Sequence, residues 1–199
     1  MISSNQIESF FRAPPEGDPS GNRRSVLFVL RRDLCKLYGP EDVQGSAALI
    51  APILAAGGMM TGIDLLTKLH TGKIDEPLAG ASDFEAFLSR FGEVSTDHAA
   101  ALYQYRCAQA HSYGFTGISR RAGERKKFLF TLSDSPAERE VVLAFPENHY
   151  AICFWPLKLL FRRMIGAFHR RLTDPAISSQ EIDAFYRAST EIGFMEVTQ

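Results

Sequence analysis

An arginine in the middle of an apolar helix stripe is the feature that most constrains the fold of this 199-residue chain. A helix turns by about 100° per residue, so Ala99, Leu102, Tyr103 and Ala110 lie on one face with Arg106 at its centre. A guanidinium stays protonated, and burying one without a partner costs much free energy. Arg106 therefore requires a packed ion partner, a cleft that binds an anion, or an interface with another subunit.

Helical periodicity and helix-capping residues recur along most of the chain. We expect the Arg106 helix to begin at Ser95 or Thr96 and to have His111 near its end, and Gly114 would permit a stop as early as Ala110. The other predicted helices are a short one ending at Phe10–Phe11, one over 26–38 ended by Gly39-Pro40, a long small-residue helix over 42–69 with a kink allowed at Pro52, one opened by Ser82-x-x-Glu85, one with an apolar stripe over 154–172, and one opened by Ser178-x-x-Glu181.

The region from 115 to 147 breaks the helical pattern. Residues 128–132 and 141–145 read as two short strands, and the polar, proline-containing connector between them predicts a hairpin. Residues 13–22 are rich in turn formers and predict a loop. The expected fold is all-α: an N-terminal arm and loop over 1–22, then one helical bundle over 23–199 with a small β-hairpin inserted around 127–146.

Composition indicates an ordinary globular protein with 45% hydrophobic and 23% charged residues. A net charge of −1 gives no overall attraction to nucleic acid, so such a role requires a local basic patch. The three cysteines, Cys35, Cys107 and Cys153, show no ligand spacing, so we expect neither a metal nor another cofactor. Unpaired cysteines are typical of a reducing cytosol.

The most apolar run, residues 47–63, is short for a membrane span and is diluted by Pro52 and three glycines. We therefore predict the central helix of a bundle and no membrane partner. The first residues lack a basic region followed by an apolar core, so no secretory signal is expected. The predicted location is cytoplasmic.

The segment Arg106-Cys107-Ala108-Gln109-Ala110-His111 resembles the Arg-x4-His motif of HEPN domains, the higher eukaryotes and prokaryotes nucleotide-binding family. The resemblance implies a helical bundle and a homodimer in which two motifs meet. It also implies a metal-independent endoribonuclease with Arg106 and His111 as the catalytic pair, or a non-catalytic module that binds a nucleotide or a partner, such as an antitoxin-like protein. Cys107 stands where family members commonly carry a polar residue, which favours the non-catalytic alternative.

Metal-free RNA cleavage needs a proton acceptor for the 2′-hydroxyl, a proton donor for the leaving oxygen, and positive charge near the phosphorane. His111 suits proton transfer and Arg106 suits phosphate recognition, with a 2′,3′-cyclic phosphate as product. On a continuous helix the two residues lie about 140° apart. They would converge only if the helix ends near Ala110 or if two chains contribute one residue each. Alternatively, Arg106 pairs with a buried carboxylate and His111 caps the helix end.

Polar and aromatic neighbours of the motif are candidates for orienting a phosphate or stacking a base. The basic segment 119–127 follows at once and would attract a polyanion, although a solvated loop is the commoner explanation of such a segment. The candidate substrate-binding residues are Tyr105, Gln109, Ser112, Tyr113, Arg120 and Arg121.

Overall fold

The computed structural model describes residues 4–12, 23–39, 51–112, 115–119 and 126–196. Within these ranges the helices are α1 (Ser4–Phe11), α2 (Val26–Tyr38), α3 (Pro52–Thr71), α4 (Ala81–Gly92), α5 (Thr96–Ser112), α6 (Phe154–Thr173) and α7 (Ser179–Ile192). The strands are β1 (Arg23–Ser25), β2 (Thr116–Ser119), β3 (Lys126–Ser133), β4 (Val142–Phe145), β5 (His149–Cys153) and β6 (Phe194–Glu196).

Helix α3 lies at the centre of the helical layer and contacts α2, α4, α5, α6 and α7. It begins with Pro52 in its first turn, where the missing N–H costs nothing, so Pro52 starts this helix and does not kink it. The predicted residues 42–50 of this helix lie outside the described ranges. Gly72, with φ at 68°, ends it in the left-handed conformation. Small residues allow close packing: a Cβ on Gly62 would lie 2.5 Å from the Phe161 ring.

Most predicted helix starts are confirmed by side-chain caps. Ser178 Oγ accepts from the Glu181 amide at 3.2 Å, and Ser95 Oγ accepts from the His98 amide at 3.4 Å. The predicted start at Ser82 is wrong, because α4 begins one residue earlier and Gly80 precedes it without a side-chain cap. None of the described helices is long and apolar enough to cross a membrane.

The predicted all-α class is wrong, because the chain is a mixed α/β protein with a four-stranded sheet. Both predicted strands exist as β3 and β4, but they do not form a hairpin. Strand β5 lies between them, parallel to β3 and antiparallel to β4, and β2 pairs with the other edge of β3. Strand β5 escaped prediction because its residues, His149–Cys153, run directly into the apolar stripe of α6.

One face of this sheet packs against α5. Phe130 of β3 lies with its ring centroid 5.5 Å from that of Tyr105, and Val142 and Ile152 are fully buried on the same face. A Cβ on Gly117 of β2 would lie 3.3 Å from the backbone carbonyl of Gln104, so a glycine lets this strand approach α5 closely. The sheet therefore supports the helix that carries Arg106.

Candidate functional site

Arg106 is buried in an ion pair within its own chain. Its Nη2 lies 2.5 Å from Oδ1 of Asp64 on α3, and the two side chains are only 4% and 7% exposed. The same Asp64 oxygen accepts a hydrogen bond from the Ala79 amide at 2.9 Å, and Arg106 Nη2 also donates to the Ala79 carbonyl at 2.5 Å. Of the three possibilities that the sequence leaves open, a packed ion partner is present.

Two aromatic rings complete the surroundings of the guanidinium. The Arg106 Cζ atom lies 4.8 Å from the centroid of Phe84 and 5.0 Å from that of Tyr103. Cations over aromatic faces are attracted by the ring quadrupole, and more strongly where water is excluded. The arginine is therefore held by α3, α4 and its own helix at once.

The connection between α3 and α4 is fixed by side chains from the same region. Lys68, one turn after Asp64 on α3, donates from Nζ to the carbonyls of Glu76 at 2.5 Å and Pro77 at 2.8 Å. Together with the two contacts to Ala79, these bonds give four backbone groups of the loop a side-chain partner. One role of the Asp64–Arg106 pair is therefore to hold this loop in place.

A cavity of about 350 Å³ lies beside the ion pair, between α3, the 72–80 loop and the end of α5. Its apolar wall includes Ile53, Leu54, Met60, Pro77 and Leu78. Its polar side chains are those of Thr61, Asp64, Arg106 and Gln109. Arg106 Nε has no hydrogen-bond partner among the described residues although it is buried. The cavity thus joins apolar surface to a few convergent polar groups, a combination typical of small-molecule sites.

Helix α5 continues through Ser112, so His111 lies near its end as expected, but the helix does not stop near Ala110 as convergence of Arg106 and His111 within one chain would require. The backbone positions of Arg106 and His111 therefore lie about 140° apart around one continuous helix. The side chains of His111 and Ser112 lie outside the described part of the chain. So do Tyr113, Arg120 and Arg121.

Tyr105 and Gln109 differ in what they reach. Tyr105 is fully buried against the sheet, its hydroxyl has no hydrogen-bond partner among the described residues, and burial raises its pKa above the ordinary value. Its contacts in this protomer are packing contacts. Gln109 is 9% exposed and lines the cavity, and its Oε1 would lie 3.7 Å from a Cβ on Gly57. Gln109 is thus the predicted substrate-binding residue that the structure brings beside Arg106.

Asp64 is the member of this site that the sequence reasoning did not identify. It is the single acidic residue between positions 43 and 74, in the otherwise apolar and small-residue stretch that forms α3. A lone carboxylate there is the complement of a lone arginine in the α5 stripe. Matching these two isolated charges would have predicted the pair.

A second polar cluster links α3, α4, α6 and α7. Glu181 accepts from Arg90 at 2.8 Å and from Arg171 at 2.5 Å, and its hydrogen bond with Arg171 is the main reason why its pKa falls to about 2. Burial is the main cause that lowers the pKa of His70, whose Nε2 lies 3.3 Å from Arg90 Nη1. A polar cleft of about 800 Å³ lies beside the cluster. The two arginines and Glu181 join α4, α6 and α7, and the contact between Arg90 and His70 adds α3.

No protein-family model, curated protein or solved structure matches this chain.

Proposed function

We propose that the protein is a HEPN-like, non-catalytic module that binds a nucleotide, or one base of an RNA, in the cavity between α3 and α5. The observation that carries the proposal is the Asp64–Arg106 pair at the cavity wall, in which the arginine's charge is matched while its Nε remains without an acceptor among the described residues. Stabilising a phosphorane needs surplus positive charge at the site. A neutralised guanidinium is better suited to donating a directional hydrogen bond.

The size and lining of the cavity support a flat, uncharged ring as the ligand. Ligand pockets begin at roughly 300 Å³, and this cavity of about 350 Å³ is near that lower limit. Leu54 and Pro77 offer apolar surface to the faces of a ring. Arg106 Nε offers a hydrogen-bond donor to its heteroatoms, and the Thr61 hydroxyl, which already donates to the Gly57 carbonyl at 3.1 Å, offers an acceptor. A nucleobase has both apolar faces and polar edges, so its ring suits this lining.

Titration calorimetry with adenosine, guanosine, cytidine and uridine monophosphates tests this proposal. Gly57 lines the cavity, and a side chain there meets little besides Gln109, so Gly57→Leu should fill the cavity and abolish binding while the fold is retained. The matched control is Gly166→Leu on α6, another helical glycine with room for a side chain, which should bind as the wild type does. No heat of binding with any of the four nucleotides, and none with short single-stranded RNA, would reject the proposal.

A second candidate is the metal-independent endoribonuclease that the motif resemblance implies, acting as a dimer or under the control of an antitoxin-like partner in the cytoplasm. The observation in its favour is that Ala110 lines the cavity and His111 follows it in the same helix. Incubating labelled RNA with the protein in a chelator tests it. Cleavage that is lost in His111→Ala and in Arg106→Lys, with folding retained, supports catalysis. Binding without cleavage supports the non-catalytic module.

A further inference from the structure

The face of the four-stranded sheet that points away from α5, here called the outer sheet face, carries large apolar residues in the open. The register places Thr116, Leu129, His149 and Phe145 side by side in one row across all four strands. Leu129 is 38% exposed and Phe145 is 48% exposed. Ile118, which lies on the same face two residues after Thr116 in β2, is 50% exposed. Half of the large apolar residues that are exposed in the described ranges therefore lie on this face.

This clustering differs from the scattered exposed apolar residues that any soluble protein carries. An antiparallel or mixed sheet that faces water normally alternates apolar residues inside with polar residues outside. Here the outward positions of β2, β3 and β4 include isoleucine, leucine and phenylalanine, while Phe128, Phe130 and Val142 already supply the inward face. Large exposed apolar residues gathered on one sheet face mark a place where another molecule binds.

The two ends of the outer sheet face carry opposite charges. Lys126 and Lys127 begin β3, and the register puts Lys127 on the same face as Ile118. At the other end of β3 the connection to β4 contains Asp134, Glu138 and Glu140, with Arg139 offsetting one of the three. An acidic end disfavours a nucleic acid, whose backbone would be repelled there. A surface with a basic end, an apolar middle and an acidic end is complementary to itself.

We propose that two copies of this chain associate through their outer sheet faces. The twofold axis runs between the two sheets and across their strands, so the basic end of each copy lies against the acidic end of the other. Twofold interfaces bring the same patch of both subunits together, which is the arrangement that this charge pattern favours. Sheets that pack face to face lie about 10 Å apart, which lets Phe145 and Leu129 of the two copies interdigitate.

This inference does not depend on the proposed nucleotide site. The residues that line the cavity between α3 and α5 all belong to α3, the 72–80 loop and α5, and the strands contribute none of those identified there. The dimer also differs from one formed by two Arg106 helices, because α5 covers the opposite face of the sheet. The dimer can therefore be disproved without affecting the proposed nucleotide site, and the nucleotide site can be disproved without affecting the dimer.

Sedimentation equilibrium of the full chain over a range of concentrations tests the dimer. The wild type should be dimeric, and Phe145→Asp should raise the dissociation constant by tenfold or more, since an aromatic residue buried in an interface carries much of the binding energy and a charge there would be buried without a partner. Leu159→Asp is the matched control, because Leu159 is 42% exposed and belongs to α6 and not to any strand of the sheet. It should leave the dimer unchanged.

Charge exchange tests the orientation of the two copies. Lys127→Glu and Glu140→Lys should each weaken the dimer, and a chain that carries both substitutions should regain affinity, because every reversed charge again meets its opposite. Circular dichroism checks folding, and Ile118→Glu replaces Phe145→Asp if that variant does not fold. A wild type that remains monomeric at its highest soluble concentration overturns the inference. A dimer that survives both Phe145→Asp and Ile118→Glu overturns it as well.

Discussion

The Asp64 carboxylate holds the Arg106 guanidinium at 2.5 Å across the interface between α3 and α5, and both side chains are almost completely excluded from solvent. Asp64 is the only acidic residue of α3, and Arg106 is the only arginine or lysine of α5. The pair fixes the relative position of two helices and, through Ala79, the loop that joins α3 to α4.

Breaking this pair should destabilise the protein strongly. Arg106→Ala leaves the Asp64 charge buried without its partner, and removing one member of a buried pair costs about 3–5 kcal/mol. Lys73→Ala is the control, because it breaks a pair with Asp83 in which the lysine is 70% exposed, and such pairs contribute at most about 1 kcal/mol. Urea unfolding measures both free energies. Equal losses in the two variants would contradict the assignment of Arg106 to a buried pair.

Removing the Tyr105 hydroxyl should stabilise the fold. The oxygen is buried without a hydrogen-bond partner among the described residues, and an unsatisfied buried polar group costs about 1–3 kcal/mol. Tyr105→Phe keeps the ring against Phe130 and should raise the free energy of unfolding by about 1 kcal/mol. Chemical denaturation provides the measurement. A loss of stability would mean that the hydroxyl has a partner, and it would strengthen the case for a role of Tyr105 in binding.

Replacing either of two glycines of α3 by alanine should change the stability of the protein, but in opposite directions. A Cβ on Gly62 would lie 2.5 Å from Phe161 and 3.0 Å from Leu30, and overpacking of this kind costs about 1–3 kcal/mol. Among the described residues a Cβ on Gly57 meets Gln109 alone, at 3.7 Å, so Gly57→Ala should raise the free energy of unfolding by up to about 1 kcal/mol through higher helix propensity. Thermal unfolding of the two variants gives the comparison. Stabilisation by Gly62→Ala would show that Gly62 of α3 and Phe161 of α6 lie too far apart for a Cβ to clash with the ring.

The Glu181 cluster should make stability depend on acid pH. The hydrogen bond from Arg171 lowers the pKa of Glu181 to about 2 in the folded chain, against an ordinary value of 4.5. A lowered carboxyl pKa stabilises the folded state fully above the unfolded value and progressively less as pH falls through the folded value. The stability difference between wild type and Glu181→Gln should thus be largest above pH 4.5 and vanish near pH 2.

Glu93→Gln is the control for this experiment, because the Glu93 side chain is 82% exposed and lies 3.7 Å from Arg163. It should follow the wild type across the same pH range. If the difference in unfolding free energy between wild type and Glu181→Gln stays constant from pH 7 to pH 2, the ionised carboxylate of Glu181 does not stabilise the folded state.

The helices were predictable because their signals are local. Periodic apolar residues and capping serines located α2, α5, α6 and α7 to within a few residues. The start of α4 was misplaced by one residue, since Ser82 offers a capping side chain that the structure does not use. The inward placement of Arg106 was also predictable, because it follows from the 3.6-residue period alone.

The sheet was not predictable in the same way, because the order of its strands depends on contacts between distant residues. Strands β3 and β4 have clear apolar runs and are neighbours in sequence, which favours a hairpin. The parallel pairing of β3 with β5 separates them, and Phe130 of β3 and Ile152 of β5 are both buried on the same face of the sheet. Asp64 was missed for a related reason, since its partner lies 42 residues further along the chain.

Strands β1 and β6 form a second, two-stranded sheet. In it Arg23, near the start of the described sequence, pairs with Glu196 at its end. The Val26 amide also donates to the Gly193 carbonyl at 2.9 Å. During synthesis β1 can therefore pair with β6 only after residue 196 has left the ribosome. Helix α2, which follows β1 directly, can form much earlier. Removing residues 194–196 would take away the partner strand of β1 and so separate the early and late parts of the polypeptide.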